Sequence, residues 1–409
     1  MKFTTTFCML SALVTSAVVS GRPLFPRAFG KDKVMNNSTS NGIVGAAYFI
    51  TNQPEGNFVV SANIGTDGQL TLARAVHAGG RGSHGISVGP DALFSQGAVK
   101  ASASGKILAT VNNNPSEISQ LGTPVSSEGE FPVSLAINKA GNQVCVLNGG
   151  TVNTVNCYSV DQKLGLVAMN NTLRSLGLNQ TTPATGPAGT VSHVIFTEDG
   201  KNLVASVKGT PPTPGFLAVF AVAADGSLSE KATQIAPQKG GLLPFSMTVI
   251  PGKNAILATD AGVGFDIFDF TDITAASSNS SKSSVVPIDG QGATCWSSFS
   301  SKTGNFYLTD VITSIVTEVN VDVNLKGTVV KQYPQGNGTA TIDNDIATVG
   351  NNDFMYVLQP NATAISVLSL NAPGQAKNIQ TLDIAGPASK VGLSISKDNL
   401  QGMTTFVKA

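Results

Sequence analysis

Charge is scarce in this 409-residue chain. Only 12% of residues are charged, 25 basic against 25 acidic, so the formal net charge is zero. Without a basic cluster, nucleic acid and anionic membrane surfaces are excluded as main partners. Arginine stops early: Arg22, Arg27, Arg74, Arg81 and Arg174 are followed by none. Only 3 histidines and 1 tryptophan occur. Long apolar runs are missing too, beyond the stretch from Phe7 to Val19, which is too short and too rich in Ser and Thr for a membrane span. There is no phosphate-binding glycine loop, no HExxH and no paired CxxC. Gly85-Ile-Ser-Val-Gly89 matches the nucleophile-elbow spacing, but Pro90 follows it where that motif needs a helix.

What is present begins with a targeting segment. Lys2, the apolar stretch and small residues near Ala17 to Gly21 read as a signal peptide over residues 1–20. A flexible tail is expected over 21–42 and one folded domain over 43–409. The C-terminal MTTFVKA lacks a lipid-anchor tail. The expected product is a secreted or wall-associated protein, glycosylated at some of Asn36, Asn37, Asn170, Asn179, Asn279, Asn337 and Asn361, each of which opens an N-x-Ser/Thr sequon. Of the 4 cysteines, Cys8 lies in the signal. Cys145 and Cys157 flank a hairpin-like stretch, VCVLNGGTVNTVNCYSV, and are expected to pair if they fall on one face. Cys295 then remains a buried free thiol.

With 43 glycines, and Ser, Thr, Asn and Val in abundance, the composition suits turn-rich β structure. Residues 192–209, SHVIFTEDGKNLVASVKG, are an apolar run, a turn and a second apolar run. The unit extends to 235 as four strands in about 44 residues, the length of a propeller blade. Its grammar returns at 133–170, 245–288, 294–333 and 342–384. Residues 46–76 carry only the last three strands of a blade, and VGLSIS (391–396) has the character of the missing first strand. Joining both termini in one blade would close the ring and remove exposed edges. The segment 97–126 counts as a seventh unit, with room for one further strand and not two: either the blade is genuinely stunted or the sequence lacks roughly a strand's worth of residues. The expected fold is all-β: a seven-bladed propeller with no helix of consequence.

Within this pattern GPDALFSQGAVK (89–100), GEFPVSLAIN (129–138) and VSHVIFTEDGKNLVASVKGTPPTPGF (191–216) resemble secreted fungal lactonase-type propellers, usually labelled 3-carboxymuconate cyclase-like. The resemblance covers the chain from about Ile43. It implies a relative of 6-phosphogluconolactonase and of carboxymuconate-lactonising enzymes, which use no metal and no organic cofactor. If the chain is active, it would be a hydrolase or isomerase of that type. Some secreted members are better regarded as cell-wall glycoproteins and adhesins, which is the alternative reading.

In a propeller whose first strands descend along the channel, one face gathers Glu130, His193, Lys208, Asp260, Trp296, Asp310, Asp343 and Asp345. Opening or closing a lactone needs a proton donor or acceptor near neutral pH, and His193 suits this. Lys208 would hold a carboxylate or the developing oxyanion, and Glu130 would orient the imidazole or activate water. Trp296 would form an apolar wall, with Asp260, Asp310 and Asp345 around the substrate. Arg81, in HAGGRGSHG (77–85), would reach over the channel with His77 or His84. Enzymes that handle a tricarboxylate are expected to use arginine forks. None falls on the later four units, which tells against that particular reaction. The expected partner is a small carboxylated or lactone molecule, or else surface and glycan partners, and the expected state is a monomer.

Overall fold

The structure, a computed structural model, describes residues 32–36, 42–112, 114–115, 124–271 and 282–408. Each repeat folds as an antiparallel sheet whose strands pair in chain order. The histidine blade runs Val191–Phe196, Asn202–Val207, Phe216–Ala221, Thr233–Ile235. Three further four-stranded blades start at Pro244–Val249, Thr294–Ser300 and Asn344–Val349. The last two are here the tryptophan blade and the last blade. The cystine blade starts at Pro132–Ile137 and adds the short Arg174–Ser175 beside Thr154–Asp161. The terminal blade sets Gln401–Val407 innermost, followed by Ile43–Ile50, Phe58–Gly65 and Leu70–His77. Lys33–Val34, inside the expected tail, adds a fifth strand to it. Among the described residues the helices are one turn of 3-10 at Pro360–Ala362 and Ala385–Lys390.

Among the described residues six blades are complete, not the expected seven. At the seventh position, among the described residues, Val99–Ala101 and Leu108–Thr110 pair as a two-stranded sheet. Val99–Ala101 nevertheless stands among the innermost strands, between Gln401–Val407 and Pro132–Ile137. Its hairpin turn has the same construction as the turns of the full blades. Gly105 has φ +65, and Gly141, Gly200 and Gly304 have φ near +70, the left-handed geometry that a Cβ disfavours. Among the described residues the ring thus holds seven inner strands, one of which carries no outer half of a blade. That leaves a cleft of about 950 Å³ between the terminal and cystine blades, where Val59, Val76, Leu108, Val144, Tyr158 and Glu130 are among the lining residues.

A second correction concerns closure. Both termini do meet in one blade, but the closing strand is Gln401–Val407 rather than 391–396. Residues 391–396 follow the short helix as turn and irregular backbone, and none of them pairs in a sheet. The core lies between neighbouring blades. Leu257, Phe265 and Ile267 pack with Phe306, Leu308 and Val319, and Val204 and Leu217 with Ile256 and Phe268. Each such side chain contributes about 1.5–3 kcal/mol on burial, so stability is spread around the wheel.

Candidate functional site

The channel is filled at the level of Lys208 and Trp296. Residues 91–98, DALFSQGA, thread into the axis and bond to strands on several sides. Ser95 Oγ donates to Val133 O at 2.8 Å, and Ser134 Oγ donates to Gln96 O at 2.6 Å. Gln96 N–H donates to Ser192 O at 3.1 Å. The Gln96 side chain spans to the tryptophan blade, donating to Ser297 O at 3.0 Å and accepting from Ser297 N–H at 3.2 Å. Gln401 Nε2 donates to Ser95 O at 3.0 Å. A polar backbone segment is stable in such a place only because nearly all its groups are paired.

Lys208 belongs to this plug. It is 3% exposed, with Nζ donating to Phe94 O at 2.7 Å and Val191 O at 3.2 Å and lying 4.3 Å from the Phe245 ring centre. The ammonium holds the plug rather than facing solvent. Asp91 accepts from Ser95 N–H and from Gln401. Burial pushes the Lys208 ammonium down and the Asp91 carboxyl up, and each group's charge restrains the other's shift. Trp296, fully buried, donates its indole N–H to Ser95 O at 2.9 Å and meets Phe245 edge-on. It is a wall of the plug, not of an open pocket. The Cys295 thiol is buried and free, as expected, and burial raises its pKa.

The ends of the second strands explain the aspartates. Asn148, Asp260, Asp310 and Gln359 each end the second strand of their blade, and Lys208 directly follows the strand end at Val207. Asp260 accepts from the backbone N–H of Leu242, Leu243 and Gly262, and Asp310 from those of Gly292, Ala293, Ile312 and Thr313. With their acceptors spent on loop amides, these two build the loops. Asp345 likewise accepts from the N–H and hydroxyl of Thr405 and from Ile346 N–H. Glu130 accepts from the Thr182 hydroxyl at the cleft instead of orienting an imidazole. Arg81 is exposed and lies in a two-residue pairing with Asn114–Pro115. His77 packs edge-on against Phe58, and the ring nitrogens of His84 lie 2.8 and 2.9 Å from Gly85 O and Gly89 O.

His193 is the residue whose chemistry is left open. It is 1% exposed, its Nδ1 accepts from Met247 N–H at 3.0 Å, and among the described residues its Nε2 has no partner. Burial first, and the nearby Lys100 ammonium second, hold its pKa well below the usual histidine value, so the imidazole is neutral. Sequence reasoning missed Asp91, Gln96, Lys100 and Gln401. The available signal was a segment, 91–98, with polar residues flanking an apolar trio and no turn grammar of its own.

Cys145 and Cys157 stand directly opposite on adjacent strands and form a disulfide. Asn36, Asn170, Asn179, Asn337 and Asn361 are all exposed, whereas Asn37 and Asn279 lie outside the described residues. Among the described residues no group of three or more His, Cys, Asp or Glu could hold a metal ion, and no helix is long and apolar enough to cross a membrane.

No protein-family model and no curated relative matches the sequence. Solved structures do. A 6-phosphogluconolactonase-like protein of Bacteroides fragilis aligns over 90% of this chain and 99% of its own, at 15% identity and a TM-score of 0.58. A similar protein of Bacteroides uniformis aligns over 83% of both chains, at 13% identity and a TM-score of 0.51. At such identities the likeness speaks for the fold alone. The chain folds as a β-propeller, the fold it shares with these two structures.

Proposed function

We propose that this is an exported, glycosylated lactonase-type propeller that opens or closes a lactone ring on a small carboxylated substrate, without a cofactor. The observation that carries this reading is His193: a neutral imidazole at the axis, fixed through Nδ1, with an unpartnered Nε2. A neutral imidazole N–H is suited to stabilise the oxygen on which charge develops when water adds to a lactone carbonyl. The ring C–O bond then breaks, the ring oxygen takes a proton, and a hydroxy acid leaves. Lys208, Glu130, Asp260 and Asp310 have no direct part in this version, because their bonds are committed to the plug and the loops. The carboxymuconate cyclase assignment stays a finer possibility within the same reading, weakened by the scarcity of arginine.

The test is hydrolysis of glucono-δ-lactone and cyclisation of muconates by purified protein, beside His193→Asn. The asparagine oxygen replaces Nδ1 as acceptor for Met247 while the Nε2 donor is lost. The expected result is turnover by the wild type and a fall of about a hundredfold in kcat. Silence of the folded wild type across lactones and muconates overturns the reading. It would favour a non-enzymatic cell-wall or extracellular adhesion glycoprotein, the reading that the filled channel end at Lys208 supports.

A further inference from the structure

Lysines far apart in the sequence are gathered by the fold onto one face. Lys106, Lys139, Lys201, Lys253 and Lys302 each lie in the turn that leads from the innermost strand of a unit to its second strand. Lys408 directly follows Gln401–Val407, the innermost strand of the terminal blade. All six are exposed, and the last blade has Gly350 and Asn351 at this place. The innermost strands run in one direction, as Asp343 bonding to Gly402 and Asp345 to Thr405 show. Their ends therefore meet at a single face, and neighbouring turns touch there. A Cβ on Gly105 would strike the Phe406 ring, and one on Gly141 would lie 3.6 Å from Ser102 Cβ. Glu198 accepts from Gly252 N–H at 2.8 Å, and Asp353 from Lys302 N–H at 3.0 Å.

The acids of this face stand apart from the arc of lysines. Asp199 pairs with Lys201 at 3.5 Å, but Lys106, Lys139, Lys253, Lys302 and Lys408 form no ion pair among the described residues. Asp67, Asp161, Asp225 and Asp322 lie further out, in the turns between third and fourth strands, and accept from the amides of those turns. The face thus has a basic centre and an acidic rim. A flat anionic bilayer would press on both, whereas one narrow chain can follow the lysines inside the rim. Single-stranded nucleic acid binds by stacking bases on aromatic side chains as well as by charge, and no Phe, Tyr or Trp is exposed among the described residues. Lysines offer point charges without the arginine fork, which suits carboxylates spaced along a flexible polymer.

We propose that this face is a docking surface for a single-chain acidic polysaccharide, whose carboxylates meet the arc of lysines. It lies at the opposite end of the strands from the loops that Asp260 and Asp310 build. Nothing in it depends on lactone chemistry.

The experiment measures binding of the purified protein to polygalacturonate by calorimetry, at low salt and at about 150 mM, where screening shortens the reach of surface charge. Saturable binding that salt weakens is expected. Lys139→Gln, Lys253→Gln and Lys302→Gln combined should weaken it about tenfold or more, since three exposed charge contacts are lost together. Lys239→Gln, Lys390→Gln and Lys397→Gln combined change the net charge equally, on exposed loops at the other face, and should leave affinity within about twofold. Unfolding midpoints check that both variants keep the fold. Absence of binding overturns the proposal, and so does an equal loss in both variants, which would make net charge the cause. Tighter binding to oligothymidylate or to phosphatidylserine vesicles than to polygalacturonate would overturn the choice of partner.

Discussion

Asp343 shows how a single buried carboxyl records its surroundings. Burial pushes it up to about 8 from an ordinary 3.8, with the charge of Asp91 adding to the rise and Gly402 N–H, Lys100 and Gln401 opposing it. The folded protein therefore binds a proton that the unfolded chain releases. This contribution to stability is complete below the ordinary value and is lost as pH rises through about 8, with a slope of at most about 1.4 kcal/mol per pH unit. Asp343→Asn should flatten that slope relative to wild type in urea unfolding series run from about pH 5 to about pH 9. An unchanged slope would mean that the carboxyl is ionised in the fold. The raised Asp91 works in the same direction and the lowered Lys208 in the opposite one, so only the difference between variant and wild type isolates Asp343. At this scale the sequence showed which residues were chemically capable, His193 and Lys208 among them. It did not show that the acceptors of Asp260 and Asp310 are consumed by loop amides, because backbone amides have no letter of their own in a sequence.

Strands and turns were the most legible elements. An apolar run, a glycine-bearing turn and a second apolar run specify a hairpin locally, and all five full units recognised in the sequence fold as blades. The bridge between Cys145 and Cys157 staples the second and third strands of the cystine blade. Its loop is short, with a sequence separation of 12. Replacing both cysteines by serine should cost about 2–4 kcal/mol of unfolding free energy, measured against denaturant. Wild type under reducing conditions should lose a similar amount, and indifference to both changes would leave the bridge without a stabilising role. The closing strand was misassigned for a reason of principle. VGLSIS and QGMTTFV are both short and partly apolar, and nothing local states which of them meets the edge of Ile43–Ile50.

For the whole molecule, closure is the decisive contact. Gln401–Val407 is the innermost strand of a blade whose other strands lie more than three hundred residues earlier, and its Gln401 also ties the plug to Asp343. Removing 401–409 should therefore cost the wheel its cooperativity and not one strand alone. Size-exclusion chromatography and near-ultraviolet circular dichroism should report expansion and lost side-chain packing, and a truncated chain that kept the wild-type unfolding transition would refute this. The sequence by itself determined the all-β class, the repeat length, the hairpins and the chemical candidates, because these follow from alternation and turn residues a few positions apart. Tertiary structure alone decided that six blades are complete among the described residues and that 91–98 fills the channel beside Lys208 and Trp296. Those outcomes depend on which distant strands share an edge and on which polar groups find partners once water is excluded, and both are properties of the closed ring.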